Sequence, residues 1–252
     1  MKFKNLQIIL SSNFFITISD EALLIKKIER FISLIKREKA FVVYYVYLGT
    51  LVHFYSDEYF LKSFSFATEV YLDGVFTGWI IQLITGKKYS TLCTQFFLPK
   101  ILSYCDNGEK NVFLLGSDDK TIRKAIKKLK DDYKNISVDG HGGYFKDDET
   151  IINKINSHDT DLLVVGMGLS TQEKWVYANA EKLKTHPVII CVGNYVDFMG
   201  GKVDLPPNFF RKYNLRWLYR IFVEPRVIKR YLGGVVVVAL LIICYIFEKK
   251  RL

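Results

Sequence analysis

Residues 161–175, DLLVVGMGLSTQEKW, are ordered in a way that suggests chemistry. Leu162 to Val165 read as a buried strand, Gly166 and Gly168 follow, and Gln172 and Glu173 open a helix. Backbone N–H groups at such a strand-to-helix turn can hold an anion, a phosphate included. Gln172 and Glu173, in the first helical turn, are placed to hydrogen-bond a base, a ribose or a sugar, although an acid there also complements the helix dipole. A dinucleotide fingerprint needs a third glycine and an acid about 20 positions further on. Thr171 stands where that glycine belongs and His186-Pro187 where the acid belongs, which argues against a nicotinamide-dependent oxidoreductase.

In LDGVFTG (72–78), Asp73 ends an apolar strand before Gly74. A carboxylate at that point faces the crevice where α/β sheets bind ligands and can take a proton from a sugar hydroxyl. Taken alone, the stretch equally fits a turn-forming Asp-Gly. Asp159-Thr160-Asp161 has the Asp-x-Asp form with which many glycosyltransferases hold a metal and a nucleotide-sugar. It precedes its strand, away from the crevice, and reads as a helix-to-strand connection. His141 and Gly142, in DGHGGYF, lie in a glycine-rich loop at the ligand edge and point to ligand contact. His53, His158 and His186 carry no such signal. Cys93, Cys105, Cys191 and Cys244 are scattered, which argues for a reducing compartment and against structural zinc or a disulfide framework. No metal site and no cofactor is expected.

The elements that must position these residues follow from periodicity. Helices are predicted over 20–37, 57–67, 75–85, 119–132, 147–156 and 172–183, and strands over 40–52, 69–74, 110–117, 136–145, 161–166 and 186–193. This alternation predicts an α/β fold: a mainly parallel, Rossmann-like sheet with helices on both faces. Ligand loops should then follow residues 72, 116, 139, 165 and 192, beyond the carboxyl ends of the strands.

The formal charge of +10 is concentrated late in the chain: from Lys202 onward eleven Lys/Arg face Asp204, Glu224 and Glu248. Residues 206–232 interleave aromatic and basic residues at helical spacing, interrupted by Pro225. From Leu232 to Phe247 run 16 residues without charge. As a helix that run covers about 24 Å, short of a hydrocarbon core of about 30 Å. Bilayer thinning and snorkelling Lys/Arg can close the gap, so membrane insertion is expected over a buried C-terminal helix. Three parts are thus expected: an α/β domain over 1–202, a basic helical membrane-proximal appendage over 203–232, and a hydrophobic anchor with a short basic tail over 233–252. The N-terminus lacks a continuous apolar core with a cleavage site, so the bulk is expected on the cytoplasmic face of the membrane, anchored at its C-terminus. An anionic membrane and a phosphorylated ligand are the expected partners. No nucleic-acid-binding motif accompanies the basic block, and self-association is left open.

In order and spacing, LDGVFTGW, NVFLLGS, DGHGGYF, DLLVVGMGLSTQEKW, VGNYVDFMGGKVDLPPNF and LRWLYRIFVEPRVIKRYL together resemble the bacterial WecG/TagA/CpsF glycosyltransferases. The likeness covers about residues 20–232. It implies a metal-independent, inverting transferase acting on a UDP-activated N-acetylmannosamine-type sugar. It implies as acceptor an undecaprenyl-type lipid-linked saccharide, in the synthesis of a cell-surface polysaccharide. By that resemblance Asp73 is the general base, and Thr94, Gly116, His141, Gly142, Gly166, Gly168, Gln172, Glu173 and Asn194 line the donor site. Arg211, Arg216, Arg220, Arg226 and Arg230 would hold diphosphate or membrane, which suits a reaction whose departing UDP gathers negative charge. Ser170 replaces a proline of the family's turn. Tyr45 and Tyr47 stand where family members carry Thr-x-Asn, and Leu92 where they carry an arginine. A catalytically degenerate member that binds a nucleotide-sugar or a partner at the membrane is the alternative implied by those departures.

Overall fold

Six parallel strands form one sheet in the order β2-β1-β6-β5-β3-β4. They are β1 (Phe41–Val46), β2 (Glu69–Leu72), β3 (Asn111–Gly116), β4 (Ser137–His141), β5 (Leu162–Gly166) and β6 (Val188–Cys191). The computed structural model describes residues 16–204 and, beyond them, 207, 209–210, 216–223, 228, 232–234, 236–237 and 239–240. Its α-helices are numbered in chain order. They are α1 (Glu21–Ile32), α2 (Leu48–Ser56), α3 (Glu58–Ser63), α4 (Val75–Thr85), α5 (Thr94–Asn107), α6 (Asp119–Asp132), α7 (Asp148–Ser157), α8 (Thr171–Asn179), α9 (Tyr195–Met199) and α10 (Arg216–Val223).

The central strands are near-continuous Val/Ile/Leu runs because both faces of the sheet are covered. Alternate residues sort into two cores. Val42, Tyr44, Phe113, Leu163, Val165 and Ile189 pack with α2, α7 and α8 through Leu51, Ile155 and Val176. Val43, Tyr45, Leu114, Val164 and Ile190 pack on the other face with α1, α5, α6 and α9 through Ile28, Ile101, Ala125 and Val196. Each such aliphatic side chain contributes about 1.5–3 kcal/mol on burial. Aspartates start four of the helices by accepting a backbone N–H of the first turn: Asp20 from Leu23, Asp57 from Phe60, Asp118 from Thr121 and Asp147 from Thr150.

The sheet order creates one crevice of interest. From β3 the chain moves outward to β4 through α6, on the second face; from β5 it turns back to β6 through α8, on the first. Adjacent strands β3 and β5 therefore send their helices to opposite faces, the topological switch at which doubly wound sheets bind ligands.

Several element limits differ from the sequence reading. The strand expected over 40–52 stops at Val46, and its second half is α2. Leu48, Leu51 and Phe54 are buried at helical spacing, and a short apolar run does not by itself separate buried strand from buried helix. Helix α5 was not foreseen: Cys93 supplies no side-chain cap, and Pro99 lies within the helix. The strand expected over 136–145 ends at His141, and α1 ends at Ile32 rather than 37. Beyond the α/β core, α10 lies in the expected basic appendage. Arg211, Arg226 and Arg230 fall outside the described residues, as do the side chains of Arg216 and Arg220. Only 232–234, 236–237 and 239–240 of the apolar run are described, and they are helical. Within them Val237 joins the first core, and a Cβ on Gly234 would lie 2.4 Å from Leu48 Cγ. Among the described residues no helix is long and apolar enough to cross a membrane.

Candidate active site at the carboxyl edge of the sheet

Glycines bring the turns after β3, β4, β5 and β6 together. Gly116 and Gly166 are partners in register across β3 and β5. Gly116 has φ +146, and a Cβ there would sit 2.3 Å from the Gly166 carbonyl oxygen. A Cβ on Gly166 would lie 2.5 Å from Val196 Cγ2 and 2.9 Å from the Gly193 oxygen. On the β4 side, a Cβ on Gly143 would lie 3.0 Å from both Gly116 Cα and Met167 Cγ, while Gly143 N–H donates to the Ser117 oxygen at 2.8 Å. A Cβ on Gly168, at φ +87, would meet nothing within 4 Å among the described residues.

The sequence-derived residues divide accordingly. Gly116, Gly166 and Gly168 lie on this glycine floor, whereas Gly142 is buried against Asp119 at the start of α6. Asn194 is exposed at its rim, at the start of α9. His141 closes β4, its Nδ1 2.8 Å from the Gly142 oxygen and its ring 6.1 Å from that of Phe145.

Gln172 and Glu173 do not line the crevice. Both are 0% exposed, beneath the turns. Glu173 Oε2 accepts the Ser170 N–H at 2.8 Å, and Glu173 Oε1 accepts Gln172 Nε2–H at 2.7 Å. Gln172 Oε1 accepts the Gly193 N–H at 3.1 Å. Burial pushes the Glu173 carboxyl up to about 7, against the lowering influence of these donors.

At the other end of the edge, Asp73 follows β2 and is half-buried, with its N–H donating to the Val46 oxygen at 2.9 Å. Tyr45 and Tyr71 flank it with ring centroids 5.9 Å apart, and Tyr47 stacks on Tyr45 at 5.7 Å. Burial first, then neighbouring negative charge including that of Asp73, raises both the Tyr45 and Tyr71 phenols. Thr94, at the start of α5, is engaged by the Tyr71 hydroxyl at 2.7 Å. Tyr45 also reaches the glycine floor: a Cβ on Gly193 would lie 2.4 Å from its hydroxyl. Asp73 therefore connects with the crevice through an aromatic wall. It stands three strand spacings from Gly166, about 14 Å along the edge.

One group was missed from sequence. Ser117, at φ +58, donates to Asp197 Oδ1 at 2.5 Å. Lys202 donates to Asp118 Oδ2 at 2.7 Å, which holds that carboxyl below the usual range, and lies 3.7 Å from Asp197. The available signal was the acid three residues after Asn194, in the first turn of the short helix that follows β6. Asp161, by contrast, is at the opposite edge. It accepts from Arg37 Nη2 at 2.8 Å and from the Asn111 N–H at 3.1 Å, as a helix-to-strand connection should. Among the described residues no group of three or more His, Cys, Asp or Glu could hold a metal ion.

An all-parallel doubly wound sheet, with a glycine floor at its switch point and a carboxylate on the same edge, defines the class of α/β proteins that take ligands across the ends of their strands. The chain belongs to the WecG/TagA/CpsF glycosyl transferase family, whose model matches residues 12–252. It is similar to the N-acetylglucosaminyldiphosphoundecaprenol N-acetyl-beta-D-mannosaminyltransferase of Bacillus spizizenii, 27% identical over 154 residues, 61% of this chain and 60% of that protein. The protein of the same name from Staphylococcus aureus is 33% identical over 128 residues, 50% of each chain. The chain thus matches about half to three-fifths of the length of these curated relatives.

Proposed function

We propose that the protein is an inverting glycosyltransferase that moves an N-acetylmannosamine-type sugar from a UDP-sugar to an undecaprenyl-diphosphate-linked saccharide. The observation that carries this reading is the shared edge. In a chain of this family, a floor of glycine turns lies at the same edge of the sheet as Asp73, and backbone N–H groups at strand-to-helix turns can hold phosphate. The names of the two relatives supply the sugar and the acceptor, and say nothing of the nucleotide. In the reaction, Asp73 takes the proton of the acceptor hydroxyl, whose oxygen bonds to the anomeric carbon from the face opposite the nucleotide. The bond from that carbon to the phosphate oxygen breaks, and UDP leaves with both electrons. The basic 211–230 segment would balance the charge gathered on UDP and meet an anionic membrane, with residues 233–252 as anchor at its cytoplasmic face.

The test is transfer of radiolabel from UDP-N-acetylmannosamine to N-acetylglucosaminyl-diphosphoundecaprenol, with membrane attachment read in the same preparations. Asp73→Asn should reduce turnover by at least 100-fold, the order expected for loss of a general base, and deletion of 233–252 should release the protein from membranes. Undiminished turnover in Asp73→Asn would remove its assigned role. A second reading, a nucleotide-sugar-binding member without turnover, is favoured by the wall of Tyr45 and Tyr47 and by Leu92, 5% exposed, at family polar positions. Binding of the UDP-sugar without UDP release on any acceptor would select it.

A further inference from the structure

A backbone bond from Val192 N–H to the Val165 oxygen, at 2.8 Å, closes the ladder between the strands that lead into the two turns of the crevice floor. Past that bond, two fully buried side chains, Gln172 and Glu173, link the turns. At one end Glu173 holds the N–H of Ser170, whose φ of +68 is unusual for a residue with a side chain. At the other end Gln172 holds the N–H of Gly193, at φ +58. We propose that Gln172 and Glu173 are positioning residues, a directional hydrogen-bonded strut that sets the separation of the β5–α8 and β6–α9 turns and so the shape of the floor on which a nucleotide diphosphate rests.

The direction follows from donor and acceptor counting. Ser170 N–H and Gln172 Nε2–H both point at Glu173, so residue 173 must accept at both oxygens, as an ionised carboxylate does. Gln172 must then offer its oxygen to Gly193, and its amide cannot turn over without placing one donor against another. Glu173→Gln breaks this logic: its amide nitrogen must face a donor, and rotating Gln172 only moves the conflict to Gly193. The pair of changes Gln172→Glu with Glu173→Gln removes it. Gln at 173 accepts from Ser170 and donates toward 172, and Glu at 172 accepts both that bond and the Gly193 N–H.

This inference deepens the donor-site reading and rests on it for the ligand, but not for the strut itself. Two measurements keep them apart: amide hydrogen exchange at Ser170 and Gly193, and calorimetric titration with UDP. Loss of a bond to a charged group should speed exchange at both amides by about 10-fold or more in Glu173→Gln, without a matching rise across the strands. UDP affinity should fall at least severalfold, and the reversed pair should restore both readings to within about 3-fold of the native protein. If Glu173→Gln does not fold, a folded reversed pair with native protection still supports the strut. Native protection and UDP affinity in Glu173→Gln would overturn it, as would a reversed pair that fails to recover. If the native protein does not bind UDP, the donor reading fails while the exchange measurement still decides the strut.

Discussion

Replacing Gly116 by alanine tests the geometry on which the candidate site depends. Two costs arise at that residue. Its φ of +146 is a conformation that side-chain-bearing residues rarely adopt, at about 1–3 kcal/mol. The new Cβ would also stand 2.3 Å from the Gly166 carbonyl oxygen and 2.4 Å from its carbon, both backbone atoms of the adjacent strand. Moving them adds an overpacking cost of about 1–3 kcal/mol. The sum is about 4 kcal/mol, or roughly 8–16 °C in Tm for a domain of this size. Gly168→Ala is the control, because at φ +87 its Cβ meets nothing within 4 Å among the described residues. It carries only the backbone cost, about 1–2 kcal/mol and roughly 2–8 °C. Thermal unfolding of both variants by circular dichroism gives the comparison. Equal losses would refute the argument that close approach of β3 and β5, rather than turn conformation alone, requires glycine at 116.

Two further outcomes follow from buried charge. Burial places the Glu173 carboxyl at about 7 against an ordinary 4.5, so the native state holds its proton more tightly than the unfolded chain. The associated stability is fully present below about pH 4.5 and is lost as pH rises through about 7, a change of about 3 kcal/mol. Chemical denaturation at pH 5 and pH 8 should show this fall in the native protein and not in Glu173→Gln; identical pH profiles would refute it. Asp161→Ala strands the Arg37 guanidinium, whose side chain is 8% exposed, and should cost about 3 kcal/mol in urea unfolding. If Asp161→Ala unfolds like the native protein, the Asp-x-Asp stretch is not the structural connection described.

On the proposed strut, positioning and stability pull against each other at Glu173. Above pH 7 the ionised Glu173 accepts from both donors, the arrangement needed to hold the two turns in place. Below it the protonated form removes a buried charge and favours the fold, while one of the two donors loses its acceptor.

Strand content, parallel alternation and the strand exits were legible because each is a local pattern. A run such as Leu162–Val165 can be satisfied only by burial on both faces, and Gly166, Gly168 and Asp73 mark strand exits in the sequence itself. The limits of α4 and α6 match the expected 75–85 and 119–132 for the same reason: glycine or aspartate borders each start. Where local signals are silent or shared, the reading failed. Helix α5 begins without a side-chain cap and contains Pro99, and α2 continues the apolar composition of β1.

What the amino-acid order determined by itself was therefore the class of fold, the strand exits at which Asp73 and the glycines stand, and the family to which the motifs belong. The tertiary structure decided which polar residues face the crevice and which support it. Gln172 and Glu173 occupy a helix start in either view; the Ser170-x-x-Glu173 spacing fits a capping box, which the structure forms, but nothing in the sequence ties Gln172 to Gly193. That distinction depends on Ser170 and Gly193, which lie on opposite sides of the pair in the chain, one two residues before Gln172 and the other beyond the rest of α8 and β6. Only packing of β5 against β6 brings those two N–H groups to one side-chain pair. Burial then makes every unmatched donor costly, so the bonds become obligatory.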